Sequence, residues 1–234
     1  MSDKLTLAIP SKGRLMEQTT ELFAKAGLVV KKVGHARGYR GEIEGMPGID
    51  VAFVSSSEIA AALKSGSVQL GITGEDLIQE SMSDAATRVA FLKKLGFGFA
   101  DVVVAVPACW IDVSVMADLE RIAADFSRVH GRHLRVATKY MNLTRRFFAQ
   151  RGVWRYRIVE SLGATEGTPA AGTAEIVVDI TSTGATLAAN HLKVLQDGLV
   201  LASQACLVAS KAASWGPRAC EARNEIVARL AGVG

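Results

Sequence analysis

Residues 177–187 read VVDITSTGATL: an apolar run closes on a single acid, Asp179, and small and hydroxyl-bearing residues follow before an apolar pattern resumes. The run EIVV suits a strand buried on both faces, since β-branched side chains pack well on a covered pleated surface. That places Asp179 at the strand's carboxyl end. From Thr181 through Ser182, Thr183, Gly184 and Ala185 to Thr186 every side chain is small, so main-chain amides can come close to a bound anion. The periodicity of TLAANHLKVL predicts a helix over 186–195. Amides gathered at the start of a helix suit phosphate. Two readings stand side by side: an anion cradle, or a tight strand-to-helix turn capped by its own acid and hydroxyls. The stretch lacks the Gly-Lys-Ser/Thr ending of a P-loop, which argues against a bare ATPase. Under the first reading the acid adds a diol, because a carboxylate accepts hydrogen bonds from two neighbouring hydroxyls. Phosphate and diol together describe a ribose 5-phosphate.

Three further apolar runs end in polar loops. AIPSKGRL offers Lys12 and Arg14 around Gly13, two cations that suit phosphate oxygens or simply a solvated turn. GITGEDL sets Glu75 and Asp76 after two glycines, where they can meet metal, hydroxyl or amine groups or complement a helix dipole. VESLGATEGTP carries Glu160 and Glu166, a pair able to hold Mg2+ or assist proton transfer, or to serve as a strand end and a capping acid. ATKYMNL adds Lys139 and Tyr140. Each signal is weak alone, but loops at the carboxyl ends of strands in an α/β protein converge in space.

The elements that must position these loops alternate. KLTLAI, IDVAFVS, SVQLGI, LRVATK, RIVES and EIVVDI predict strands, and GRLMEQTTELFAKAGL, SEIAAALKSG, LIQESM, DLERIAADFSRVHG and LTRRFFAQRG predict helices, with Ser57 as an N-cap and Gly27 and Gly66 as stops. Such alternation predicts a largely parallel sheet covered on both faces. Two long apolar runs, LGFGFADVVVAVP and GLVLASQACLVAS, bracket the middle third and predict crossings between two lobes: one of residues 1–97 and 199–234, the other of residues 98–198.

Hydrophobic content of 49% and charged content of 21% are ordinary for a globular chain of 234 residues. The net charge of +4 suits a polyanionic small substrate; the basic residues are scattered and aromatics are 6%, so a nucleic-acid surface is not indicated. Cys109, Cys206 and Cys220 have no zinc-like spacing and their odd number argues against a disulfide framework, and the two histidines of HGRH read as part of a polar loop. No apolar stretch approaches the ~18 residues of a spanning helix, and the N-terminus leaves no room for a signal peptide, so a cytoplasmic location without membrane contact is expected.

AIPSKGRL, GITGEDL, RVATKYMNLTRRFF and VESLGATEGTP…EIVVDITSTGATLAANHLKVL, in this order, closely resemble the ATP phosphoribosyltransferase family over nearly the whole chain. The resemblance implies a two-lobed α/β fold like that of type II periplasmic binding proteins, with the active site in the cleft between lobes. It implies transfer of the phosphoribosyl group of phosphoribosyl pyrophosphate (PRPP) to N1 of ATP, the first step of histidine biosynthesis, with Mg2+ accompanying both substrates. It assigns the Thr181–Thr186 loop to the 5-phosphate, Asp179 to the ribose hydroxyls, Lys12 and Arg14 to polyphosphate oxygens, and Asp76, Lys139, Glu160 and Glu166 to substrate contacts. Arg37 of HARGYRG falls about where the family supplies an arginine near the leaving group, with Arg40 as its alternative. The chain resembles the family's short form, which implies a homodimer and a regulatory subunit similar to histidyl-tRNA synthetase. Ala164, Thr165, Gly167 and Thr168 around Glu166 depart from the bulkier residues frequent in the family. A solute-binding protein of the same fold, or a phosphoribosyltransferase with another acceptor, are the rival functions.

Overall fold

The structure is a computed structural model and describes residues 3–33 and 39–233. The chain divides into two compact units, Met1–Phe99 with Gln204–Gly234, and Ala100–Ser203. Arg37 lies outside the described residues.

The first unit runs β1 (Leu5–Pro10), α1 (Gly13–Lys25), β2 (Val30–Lys32), β3 (Arg40–Ile43), β4 (Ile49–Val54), α2 (Ser56–Ser65), β5 (Leu70–Gly74), α3 (Glu75–Ser81), α4 (Ala85–Arg88) and β6 (Val89–Lys94). The second contains β7 (Asp101–Pro107), α5 (Met116–His130), β8 (Leu134–Thr138), α6 (Met141–Gln150), β9 (Tyr156–Glu160), a 3-10 turn (Thr165–Gly167), β10 (Ile176–Thr181), α7 (Ala185–Ala189) and β11 (Leu192–Leu201). The chain then returns to the first unit through β12 (Ala205–Ser210) and α8 (Pro217–Ala231).

Seven strands form the first sheet in the order β2-β3-β4-β1-β5-β12-β6, and five form the second in the order β11-β7-β10-β8-β9. Neither is largely parallel, contrary to the expectation from alternation. Among the described residues of the first sheet, only β1 with β4 and β1 with β5 run parallel. In the second, β8 is parallel to β9 and β10, whereas β7 is antiparallel to β10 and β11. Strands β7 and β12, which follow the crossings between units, and β2 and β3 within the first unit supply the antiparallel pairs, and strand composition does not encode that direction.

Central strands read as apolar runs because helices cover both faces. In β1, Leu5, Leu7 and Ile9 pack with Phe23 of α1 and Ile226 and Leu230 of α8, while Ala8 faces Ile59 and Leu63 of α2. Gly71 of β5 permits α2 to settle this closely, since a Cβ there would lie 2.6 Å from Ile59 Cγ2. In the second unit Val102, Val104, Ile176 and Val178 meet Leu119 of α5 and Phe148 of α6; Val103, Ala105 and Val177 meet Leu187 of α7 on the other face.

Two local expectations change. Ser55, not Ser57, caps α2: its hydroxyl accepts from the Glu58 amide at 3.3 Å while the Glu58 carboxylate accepts from the Ser55 amide at 2.8 Å, a reciprocal capping box. The helix expected over 186–195 stops at Ala189, and Leu192–Leu201 is strand β11, paired with β7. His191 turns the chain with φ +56°, and the main-chain groups beyond it are satisfied by the β7 ladder rather than by a helix.

Candidate functional site

At the carboxyl end of the second sheet, parallel strands β10, β8 and β9 deliver Asp179, Lys139 and Glu160 side by side. Strand β10 continues to Thr181, so Asp179 stands two residues inside the strand, with its partner Val103 on β7. Its Oδ1 accepts from the Ile180 amide at 2.8 Å. Burial pushes the Asp179 carboxyl above its ordinary value; the Ile180 amide, Lys139 and the nearby Thr165 hydroxyl oppose that push, and the charge of Glu166 adds to it. The carboxylate pair brought together is therefore Glu166 with Asp179. Glu160 is exposed and ends a strand two spacings from β10, about 10 Å away. Lys139 is anchored beside Tyr140, its Nζ 5.1 Å from the ring centroid, and Tyr140 itself is buried in the core.

The loop after β10 is shaped by its own hydroxyls. Thr181 Oγ1 accepts from the Gly184 amide at 2.7 Å and Thr183 Oγ1 from the Ala185 amide at 3.3 Å. Gly184 has φ +75°, a left-handed conformation that favours glycine, and a Cβ there would meet nothing within 4 Å. The space beside it is open. Ser182, Thr183 and Thr186 are exposed. Because α7 has only five residues, its dipole is short, and the loop's polar character rests on amides and hydroxyls.

The first unit presents a second group at the carboxyl ends of its strands. Lys12 and Arg14 flank Gly13 at the start of α1, both exposed, with no acid in the helix's first turn. Asp76 opens α3 and is 6% exposed, a strong withdrawal for an acid. Its neighbour Glu75 pairs with Lys94 at the end of β6, 3.1 Å away. Beneath them burial pushes the Cys206 thiol up to about 11, Glu75 adding to the effect, so this cysteine stays an inert core residue. Cys109, Cys206 and Cys220 are all free.

Sequence reasoning missed Lys94 as Glu75's partner. Lys94 ends strand β6, a segment just ahead of the long apolar run that the sequence reading assigned to no element.

Two α/β units, each with polar loops at the carboxyl ends of its parallel strands, define a protein of the type II periplasmic-binding-protein fold class. The arginine-, lysine- and histidine-binding protein of Geobacillus stearothermophilus shares this fold, with a TM-score of 0.55 at 12% identity over 98% of this chain and 89% of that one. The particular chemistry comes from closer relatives. The family model HisG, ATP phosphoribosyltransferase, matches residues 55–232. An ATP phosphoribosyltransferase of Rhodopseudomonas palustris strain BisB18 is 59% identical over 231 residues, covering 99% of this chain and 71% of the relative. A chain of the ATP phosphoribosyl transferase (HisG:HisZ) complex of Thermotoga maritima superposes with a TM-score of 0.73 at 25% identity, over 98% of this chain and 97% of that one. The chain belongs to the ATP phosphoribosyltransferase family and catalyses the first step of histidine biosynthesis, using ATP as phosphoribosyl acceptor.

Proposed function

We propose that the carboxyl end of the second unit's sheet is where this enzyme holds the phosphoribosyl group. The carrying observation is the meeting of Asp179, Lys139 and Glu166 beside the open loop Thr181–Thr186. Asp179 accepts the two ribose hydroxyls, and Thr181, Ser182, Thr183, Gly184, Ala185 and Thr186 wrap the 5-phosphate. Lys139 balances the paired acids. Lys12 and Arg14 take polyphosphate oxygens, Arg14 as a two-pronged donor. Asp76, Glu160 and Glu166 are assigned to substrate contacts, and Arg37 to the leaving group.

In the transfer, the N1 lone pair of adenine forms a bond to C1 of the ribose as the C1–O bond to pyrophosphate breaks, its electron pair leaving with pyrophosphate. The ribosyl carbon gains positive character and pyrophosphate gains negative charge, so the chain's task is to align the partners and stabilise separated charge. An ionised Asp179 next to the ribose favours that positive character. Among the described residues no cluster of three or more acids, histidines or cysteines forms a metal cage. Mg2+ is accordingly assigned to the substrates, arriving as the counter-ion of their phosphates, the usual way this ion is held.

The Thermotoga relative is a complex with a second protein, and we extend that arrangement here: a homodimer of this chain joined by a regulatory subunit. A cytoplasmic location is proposed with it, as for a biosynthetic enzyme acting on ATP; among the described residues no helix is long and apolar enough to cross a membrane. Calorimetric titration of PRPP with Mg2+ into the protein and its Asp179→Asn variant tests the site. The expected loss is about ten- to a hundredfold in affinity, that of a charge-assisted hydrogen bond. Unchanged affinity would return Asp179 to a structural role.

A further inference from the structure

Residues 141–159, MNLTRRFFAQRGVWRYRIV, hold five arginines and no acid. They span α6 and most of β9, the last strand of the second sheet, which pairs with β8 on one side and has no neighbour on the other among the described residues. The ladder fixes what that open edge offers. The Leu134 amide donates to the Arg155 carbonyl at 3.3 Å and the Ser161 amide to the Thr138 carbonyl at 3.1 Å, so the odd-numbered residues turn their main-chain groups toward β8. By alternation the amides and carbonyls of Tyr156 and Ile158 point to the open edge.

The side chains divide the arginines. Arg151 is engaged, its guanidinium 3.3 Å from the Asp197 carboxylate and its Cζ 5.1 Å from the centroid of the Phe147 ring. Arg145, Arg155 and Arg157 are exposed, and none has an ion-pair partner among the described residues. The Tyr156 ring is held edge-on against Phe148, with 4.8 Å between centroids. Trp154 has no such cover. The Val153 amide donates to the Phe148 carbonyl at 2.9 Å and ties down the turn after α6, yet the indole that follows is 68% exposed. Arg145, Trp154, Tyr156, Arg157 and Ile158 line one open cavity of about 440 Å³.

Charged side chains on an edge strand block unwanted pairing, and arginines would do that alone. An exposed indole beside them works against blocking, because it adds apolar surface to the edge. Trp, Tyr and Arg around one cavity are the residue types that carry most of the binding energy in protein interfaces. A second copy is a poor occupant, since pairing β9 with itself brings the arginines of two chains together. The complement is an extended acidic strand. Its alternate side chains fall on opposite faces, so apolar ones meet Tyr156 and Ile158 on one face while carboxylates meet Arg157 on the other. We propose that the open edge of β9, with Trp154 and Arg145 at its rim, is a docking site for an extended acidic segment of a partner protein, which adds to the second sheet as a further strand.

Fluorescence anisotropy on the full chain at low salt tests this with a fluorescein-labelled peptide alternating glutamate with valine; thermal unfolding and PRPP calorimetry monitor the fold and the phosphoribosyl site. Binding of the peptide is expected to weaken about tenfold in Arg157→Glu and in Trp154→Ala, with unfolding temperature and PRPP affinity near wild type. It should weaken by about the same factor when the peptide is N-methylated along both edges, since strand addition needs its main-chain donors. A peptide alternating lysine with valine should not bind. No binding of the acidic peptide at millimolar concentration, equal affinity for the N-methylated form, or unchanged affinity in both variants each overturns the proposal. Tighter binding of a single-stranded RNA oligonucleotide at the same salt would make the patch a nucleic-acid surface and overturn it too. So would a wild-type oligomer, seen by sedimentation, that dissociates in Arg157→Glu, because the occupant would then be a second copy.

Discussion

Glu175 and Asp179 lie four residues apart, one just before strand β10 and the other near its end, and their surroundings treat them in opposite ways. Glu175 is enclosed by donors: Arg132 at 3.0 and 3.2 Å, Arg135 Nη2 at 2.6 Å and the Arg135 amide at 2.7 Å. Burial alone would raise its carboxyl, but hydrogen bonds from Arg135, Arg132 and the Arg135 amide outweigh burial and hold it at about 2. Asp179 is half-buried as well, yet it has one main-chain donor and the charge of Lys139 against that of a neighbouring acid, and it ends above its ordinary value. One end of the sheet has satisfied its charge and gains stability from it. The other keeps acceptor capacity in reserve, as a ligand site must.

That contrast predicts a crossed pattern of effects. Glu175→Gln should cost about 2–3 kcal/mol of stability, measured by denaturant midpoint, while PRPP affinity of the folded protein is unchanged. The pH dependence has a definite sign. Because the folded-state value of Glu175 is depressed, its stabilisation is fully present above its ordinary value of 4.5 and is lost as pH falls toward about 2. The Gln variant should show a correspondingly flatter acid limb in its unfolding curve. Asp179→Asn should do the reverse, losing about 1.5–3 kcal/mol of PRPP binding while thermal stability holds or rises slightly, since a charge disfavoured by partial burial is removed.

Gly184 sharpens the comparison within the loop. Gly184→Val forces a β-branched residue into the left-handed region, so stability should fall by about 1–2 kcal/mol along with PRPP binding. Gly184→Asn tolerates that backbone and adds atoms only to open space, so a loss of PRPP affinity with near-native thermal unfolding isolates the cradle from the turn. A stable Gly184→Asn protein with normal affinity would reduce the loop to a connector. As a baseline outside the second unit, Ser55→Ala removes the α2 cap and should cost about 1 kcal/mol of stability by thermal unfolding with no effect on PRPP affinity.

Much of the polar geometry was legible because strand ends mark themselves: apolar runs stop at Asp179, Thr138 and Gly74, and the residues beyond them converge wherever the strands are parallel. The α2 cap was misplaced at Ser57, although in SSSE only the first serine, Ser55, stands three residues before the glutamate as a capping box requires. Strand β11 was not legible. TLAANHLKVL has a helical period, and the outcome was decided by unpaired main-chain groups on β7 far away in sequence. Strand direction escaped for the same reason.

The most direct test of the contrast is a carbon-13 titration of the Glu175 and Asp179 side-chain carboxyls by NMR, with and without PRPP. The free protein should show Glu175 titrating near 2 and Asp179 above its ordinary value. PRPP should lower the Asp179 midpoint, because ribose hydroxyls donate to the ionised form, and leave Glu175 where it was. An Asp179 midpoint that ignores PRPP, or two acids that titrate together, would contradict the division of the sheet into a stabilising end and a binding end.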